Sequence, residues 1–134
     1  MANEVTPLYR GGHPDLTGHT TAAVTGGRFV AISGNIQSGP GLVTDANGGN
    51  LQVAHAAAGT AAIGVAAYDA GSGKKVAVMQ PGNVVPMIAD GAITAGGAVE
   101  VGATGKPKAI ASGVQVGRAV TTAADTAIVY VRIG

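Results

Sequence analysis

From residue 28 to the C-terminus, short runs of alternating apolar and polar residues are separated by clusters of glycine. RFVAIS (28–33) is the first run. NLQVAHA (50–56) puts Leu51 and Val53 on one face and Gln52 on the other. AAIGVAA (61–67) follows, then KKVAVMQ (74–80), where Val76 and Val78 alternate. NVVPMI (83–88) carries Pro86, which lacks an N–H and so predicts an edge or irregular strand. AVEV (98–101) sets Val99 and Val101 opposite Glu100, and a short KPKAI run and VQVGRAV (114–120) come next. In TAIVYVRI (126–133), Ala127, Val129, Val131 and Ile133 form one apolar face, with Thr126 and Arg132 on the other. Period two with β-branched residues predicts half-buried strands. SGPG, NGGN, GSG, PGN, AGG and TGK lie between the runs and supply turn conformations. HAAAGTAA invites a helical reading, but Gly59 and Gly64 interrupt the region and no polar face recurs at period 3.6. The pattern predicts an all-β protein: a small glycine-rich barrel or sandwich over residues 28–134, with at most one short helix.

Residues 1–27 have no sustained period and contain Pro7, Pro14 and the pair Gly11-Gly12. A helix there would have to survive both prolines and the glycines. The segment reads as an extended N-terminal arm, with a disordered tail as the alternative for the isolated protein. Val5, Leu8 and Tyr9 form a small apolar cluster beside Arg10. These residues are the expected contact with a partner, and Leu8 and Tyr9 its anchors. On this reading, deletion up to Ala22 leaves the melting of the core little changed but weakens attachment tenfold or more.

One faint repeat is visible. IGVAAYDAGSGKKVAVM (63–79) resembles VGRAVTTAADTAIVYV (116–131), and each reads as a hairpin with a mid-strand glycine, Gly64 or Gly117. Such glycines mark a bulge or a close backbone approach. Chance likeness between two Val/Ala/Gly hairpins is the competing reading.

Composition narrows the function. Apolar residues are 46% of the 134, charged residues only 11% and aromatic ones 3%, with a net charge of +1. A nucleic-acid binder needs a basic footprint and stacking aromatics, and both are lacking. There is no cysteine for disulfides, thiolate metal sites or a thiol nucleophile. MANEVTPLYR has neither a basic nor an apolar leader pattern, so no signal peptide is expected, and no apolar run is long enough to predict a membrane span. Mean hydropathy is +0.33. A chain so apolar and so poor in charge is expected to have part of its surface covered by a partner.

Little suggests chemistry. His13, Asp15 and His19 could in principle ligate zinc, but their segment has neither regular spacing nor a second shell, and they read as polar arm residues. His55 shares the parity of Leu51 and Val53 and reads as a half-buried, hydrogen-bonded strand-end histidine. Ser33, Ser38, Ser72 and Ser112 lie in glycine-rich turns, not in a nucleophile elbow. No glycine pair carries phosphate-loop or dinucleotide spacing. No enzyme activity, cofactor or metal is expected.

The order of the segments resembles a known family. PLYRGGHPDLTGHTTAAVTGGRFVAISG looks like the arm and first strand of the small capsid decoration (cement) proteins of tailed bacteriophages. LQVAHAAAGTAAIGVAAYDAGSGKKVAV is similar to their central section, and GAITAGGAVEVGATGKPKAIASGVQVGRAV to their most recognisable stretch. Arg118 departs from that pattern, which commonly has an apolar or small residue there, and leaves the facing of its strand open. The resemblance implies a β-barrel-like domain that forms a homotrimer on the outer surface of the virion head. It implies assembly in the host cytoplasm and contact with several copies of the major capsid protein. Another virion structural or surface-binding module, such as a head or tail completion protein or a host-attachment domain, is the alternative.

Overall fold

The computed structural model describes residues 3–11, 14–36 and 50–134. The SGPG turn, most of NGGN, and His13 lie outside them. The described residues form the strands Leu16–Thr20 (β1), Phe29–Gly34 (β2), Leu51–His55 (β3), Gly64–Ala66 (β4), Lys75–Met79 (β5), Val84–Ile88 (β6), Ala98–Val101 (β7), Pro107–Ala109 (β8), Gly117–Ala119 (β9) and Ile128–Ile133 (β10), with one 3₁₀ turn, Ala103–Gly105. The all-β architecture expected from the periodicity is the one observed. The first five strands close into a barrel in the order β1-β3-β2-β4-β5, and the last five form a sheet in the order β6-β10-β9-β7-β8. Pro86 lies on β6, at an edge of that sheet, as its missing donor requires.

The repeat extends beyond the two hairpins. β2 and β4 pair Phe29 with Val65 and Val30 with Gly64; β7 and β9 pair Ala98 with Arg118 and Val99 with Gly117. β4–β5 and β9–β10 repeat one register, Ala66 to Val78 and Ala119 to Val131. The bridge from Val24 to Ala70 has its counterpart in that from Ile93 to Ala123. Gly64 and Gly117 occupy equivalent positions for one reason. A Cβ on Gly64 would run into the Met79 carbonyl, and one on Gly117 would lie 2.6 Å from the Arg132 carbonyl oxygen.

Equivalent turns also share a left-handed residue, Gly73 at φ 74° in the first unit and Thr126 at φ 65° in the second. A β-branched residue is strained there, at about 1–2 kcal/mol. Thr126→Gly is therefore expected to raise thermal stability slightly, by up to about 1 kcal/mol after the added chain entropy of glycine, as read by calorimetry.

The two units differ in closure. β1 pairs in parallel with β3 and seals the first barrel. In the second unit the seam between β6 and β8 is spanned by one backbone bond, Asp90 N to Pro107 O at 2.8 Å, the counterpart of Thr21 N to Val53 O at 3.0 Å. The second sheet is thus left open, and the first barrel caps it. Val24, Val30, Val53, Ala66, Val76 and Val78 fill the first barrel. Phe29, Val65 and Met79, on its outer face, join Val99, Val101, Val129 and Val131 from the inner face of the second sheet in the larger core.

The expected boundary at residue 27 falls inside this fold, because β1 lies within the stretch read as arm. It pairs with both β3 and β5. Thr20 is buried, and its hydroxyl donates to the Gly71 carbonyl at 2.5 Å and accepts from Lys74 N at 3.0 Å. LTGHT shows little apolar alternation. Its inward position Gly18 is bare because a Cβ there would come within 2.9 Å of Val53 Cγ2.

One carboxylate is built into the second unit. Glu100 on β7 is almost wholly covered, stands opposite Lys108, and its Oε2 accepts from Ala111 N at 3.0 Å and Gly113 N at 2.6 Å. Those N–H donors hold its pKa below the ordinary glutamate value, against the opposing effect of burial. A carboxyl whose pKa is depressed by folding adds stability above its unfolded pKa and loses it as pH falls through the folded one. Glu100→Gln should therefore melt below the parent at neutral pH, and the gap should close as pH drops below about 4.5, followed by thermal denaturation across a pH series.

Candidate interaction surface

The described arm residues pair with the body of the same chain. The Asn3 side-chain amide donates to both Asp69 carboxylate oxygens, at 3.0 and 2.9 Å, and Asp69 also accepts from Gly26 N at 2.9 Å. Val5 N donates to Ala67 O at 2.8 Å, and its half-buried side chain packs on the larger core. Leu8 N donates to Val84 O at 2.7 Å, and Val84 N donates to Tyr9 O at 2.9 Å. Gly11 N ends the run on Asn83 Oδ1 at 3.0 Å. Residues 3–11 are thus a strap. They tie the first barrel to β6 and add to its open edge, the mode by which extended segments join a sheet.

Of the four arm residues singled out in the sequence, Val5 is turned toward the core, whereas Leu8, Tyr9 and Arg10 are exposed. Leu8 is 52% and Tyr9 66% accessible, large values for apolar side chains held on an ordered edge. Directly paired strand residues share a face. Tyr9, Val84, Arg132, Arg118 and Ala98 therefore form one row across the outer face of the second sheet. Tyr130 pairs with Pro86 and Ile128 with Ile88 on the same face. Sequence reading set Arg132 on the outward face but left Arg118 open; nothing in the sequence shows that the two stand opposite each other, since that depends on strand register.

Where the arm leaves β6, a cleft of about 430 Å³ opens between Asn3–Thr6, Gly26 and Gly27 on one side and Pro86–Ile88 and Ile128 on the other. Its lining is mostly apolar, and Ile88 and Ile128 extend it to the surface.

Among the described residues, His19 and His55 belong to no cluster of metal-binding side chains. His55 accepts from Thr25 N at 2.8 Å through Nε2, which fits the neutral ring. Burial, then the nearby Arg28 charge, lowers its pKa from the ordinary value. His19 lies on β1 between Gln52 and Lys75, and its Nδ1 is buried without a hydrogen-bond partner. Asp15 precedes β1 and is exposed. Arg28 reaches across to the second unit, donating to Thr104 Oγ1 at 3.0 Å. Among the described residues, no helix is long and apolar enough to cross a membrane.

No protein-family model and no curated protein sequence matches the chain. A solved structure does. The chain is similar to the N-terminal base of the head fiber protein gp8.5 of bacteriophage phi29, with a TM-score of 0.68, 24% identity, and coverage of 90% of this chain and 92% of that one. At this identity the likeness is one of fold. It spans both β units and not the first barrel alone.

Proposed function

We propose that this chain is a structural module of a bacteriophage head, carried on the outer surface of the capsid as a decoration protein. The observation that carries the proposal is the likeness, over nine-tenths of the chain, to the base of a phage head fiber. The ordered segment resemblance to capsid cement proteins points the same way. The working form in this reading is a homotrimer on the major capsid protein, with no catalytic site, cofactor, nucleic-acid or membrane partner. Its action is mass-action stabilisation: a protein that binds the assembled shell and not its parts favours the shell. Three linked copies gain further from high effective concentration once one has bound. The head-fiber neighbour also favours a second reading, in which the chain is another surface module of the head, seating an appendage. The test adds purified chain to heads that lack it, weighs the free protein by light scattering and images the particles. Trimer mass and trimeric density at fixed positions outside the shell support decoration. Single copies or rings at one vertex support another virion role, and heads without added density overturn both.

A further inference from the structure

The two β units use the same face differently. In the first, the outer face of β2, β4 and β5 is buried, with Phe29, Val65 and Met79 inserted into the larger core. The register places Ala98, Arg118 and Arg132 at the equivalent positions of the second unit. There the face is open at both arginines and half-covered at Ala98. Arg118 and Arg132 stand directly opposite each other on neighbouring strands and are both exposed. Like charges in that position oppose folding. Arg118 donates to Gly96 O at 2.7 Å, which uses one of its five N–H groups. The Arg132 side chain has no hydrogen-bond or ion-pair partner among the described residues. Around the pair lie Tyr9 at 66%, Val120 at 46% and Ile128 at 58% exposure. Folding accounts for neither the facing arginines nor the apolar rim.

We infer that this face is the docking surface for the head shell, and that it takes a carboxylate of the shell protein between Arg118 and Arg132 while Tyr9, Val120 and Ile128 pack on apolar side chains around it. This rests on the head-surface reading given above. Charge complementarity sets the chemistry of the partner: two uncompensated guanidinium groups in an apolar frame fit an aspartate or glutamate, which arginine pairs bind in bidentate geometry. A second copy of this chain fits less well. Asp69, Asp90, Glu100 and Asp125 already accept from backbone N–H groups of their own chain, which leaves Glu4 and Asp15 as the exposed carboxylates without such a bond among the described residues. A second copy also has no concave sheet to offer, because its first barrel is closed and its second sheet is already capped.

Arg132→Glu separates binding from folding. The substitution replaces a like-charge pair by an opposite-charge pair across the strands, so its melting temperature should equal or exceed that of the parent. Its affinity for heads that lack the protein should fall at least tenfold, and the salt dependence of binding should weaken. Ile128→Ser should lower affinity less and leave the salt dependence intact. If the parent binds heads and Arg132→Glu binds equally well, the docking face is wrong and the head-surface reading stands. If the parent does not bind heads at all, the reading fails and the inference with it. Arg132-dependent binding to duplex DNA in place of heads also overturns it.

Discussion

Deletion of residues 1–22 is expected to leave a chain without a cooperative thermal transition. This reverses the expectation from the sequence, in which those residues were a detachable arm. β1 lies between two partners, paired through three residue positions with β3 and four with β5. Removing it opens the barrel, exposes Val53, Val76 and Val78, and unties Thr20 from the turn at Gly71 and Lys74. At about 0.5–1.5 kcal/mol for each hydrogen bond, and with the apolar area returned to water, the loss is on the order of 5–10 kcal/mol. That is comparable to the whole stability of an ordinary domain. Deletion of residues 1–10 is the informative contrast. It removes all of the strap but Gly11, and no barrel strand, so a cooperative transition should survive at a lower temperature. Circular dichroism melts of the two truncations decide the point. A full transition in the shorter chain would show that β1 is dispensable.

Phe29→Ala is expected to have the next largest effect. Phe29 is the one phenylalanine in the chain and is fully buried. It sits on the outer face of the first barrel but inside the core that the barrel shares with the second sheet. Truncating such a residue costs about 3–5 kcal/mol, because the cavity refills only in part. For a chain of this length that is a fall of roughly 10–20 °C in melting temperature. The position adds a qualitative result. Loss of the shared side chain should broaden the transition as the two units begin to melt separately, visible in calorimetry as a van't Hoff enthalpy below the calorimetric one. Ala98, its equivalent in the second unit, is only half-buried.

The apolar–polar alternation of the later strands was legible because each has one buried face, and burial of every second residue leaves a period-two record. β5 and β10 are the clearest cases: Val76 and Val78, and Val129, Val131 and Ile133, are all buried. The repeat was legible where both copies keep like residues, Gly64 with Gly117 at the same close contact, and Ala66 and Val78 with Ala119 and Val131. Other counterparts are unlike in residue type, Val65 with Arg118 and Met79 with Arg132, and emerge only from the shared register. β1 left little trace, since its inward glycine lies where a neighbouring valine fills the space.

The residues of the candidate surface were half visible. Leu8, Tyr9 and Arg10 stood out as an apolar and basic cluster in a polar stretch; three-dimensional structure leaves all three exposed and sets Tyr9 in the row that crosses the outer face of the second sheet. By itself the sequence determined the all-β class, the cysteine-free and aromatic-poor chemistry, and which later strands would form, because composition, local periodicity and turn residues encode these. Tertiary structure alone decided that the arm straps its own sheet, that one barrel closes while the other sheet is capped, and that Arg118 faces Arg132. Those outcomes depend on pairings between residues far apart in the chain, and the register that sets them is fixed by packing the whole core at once.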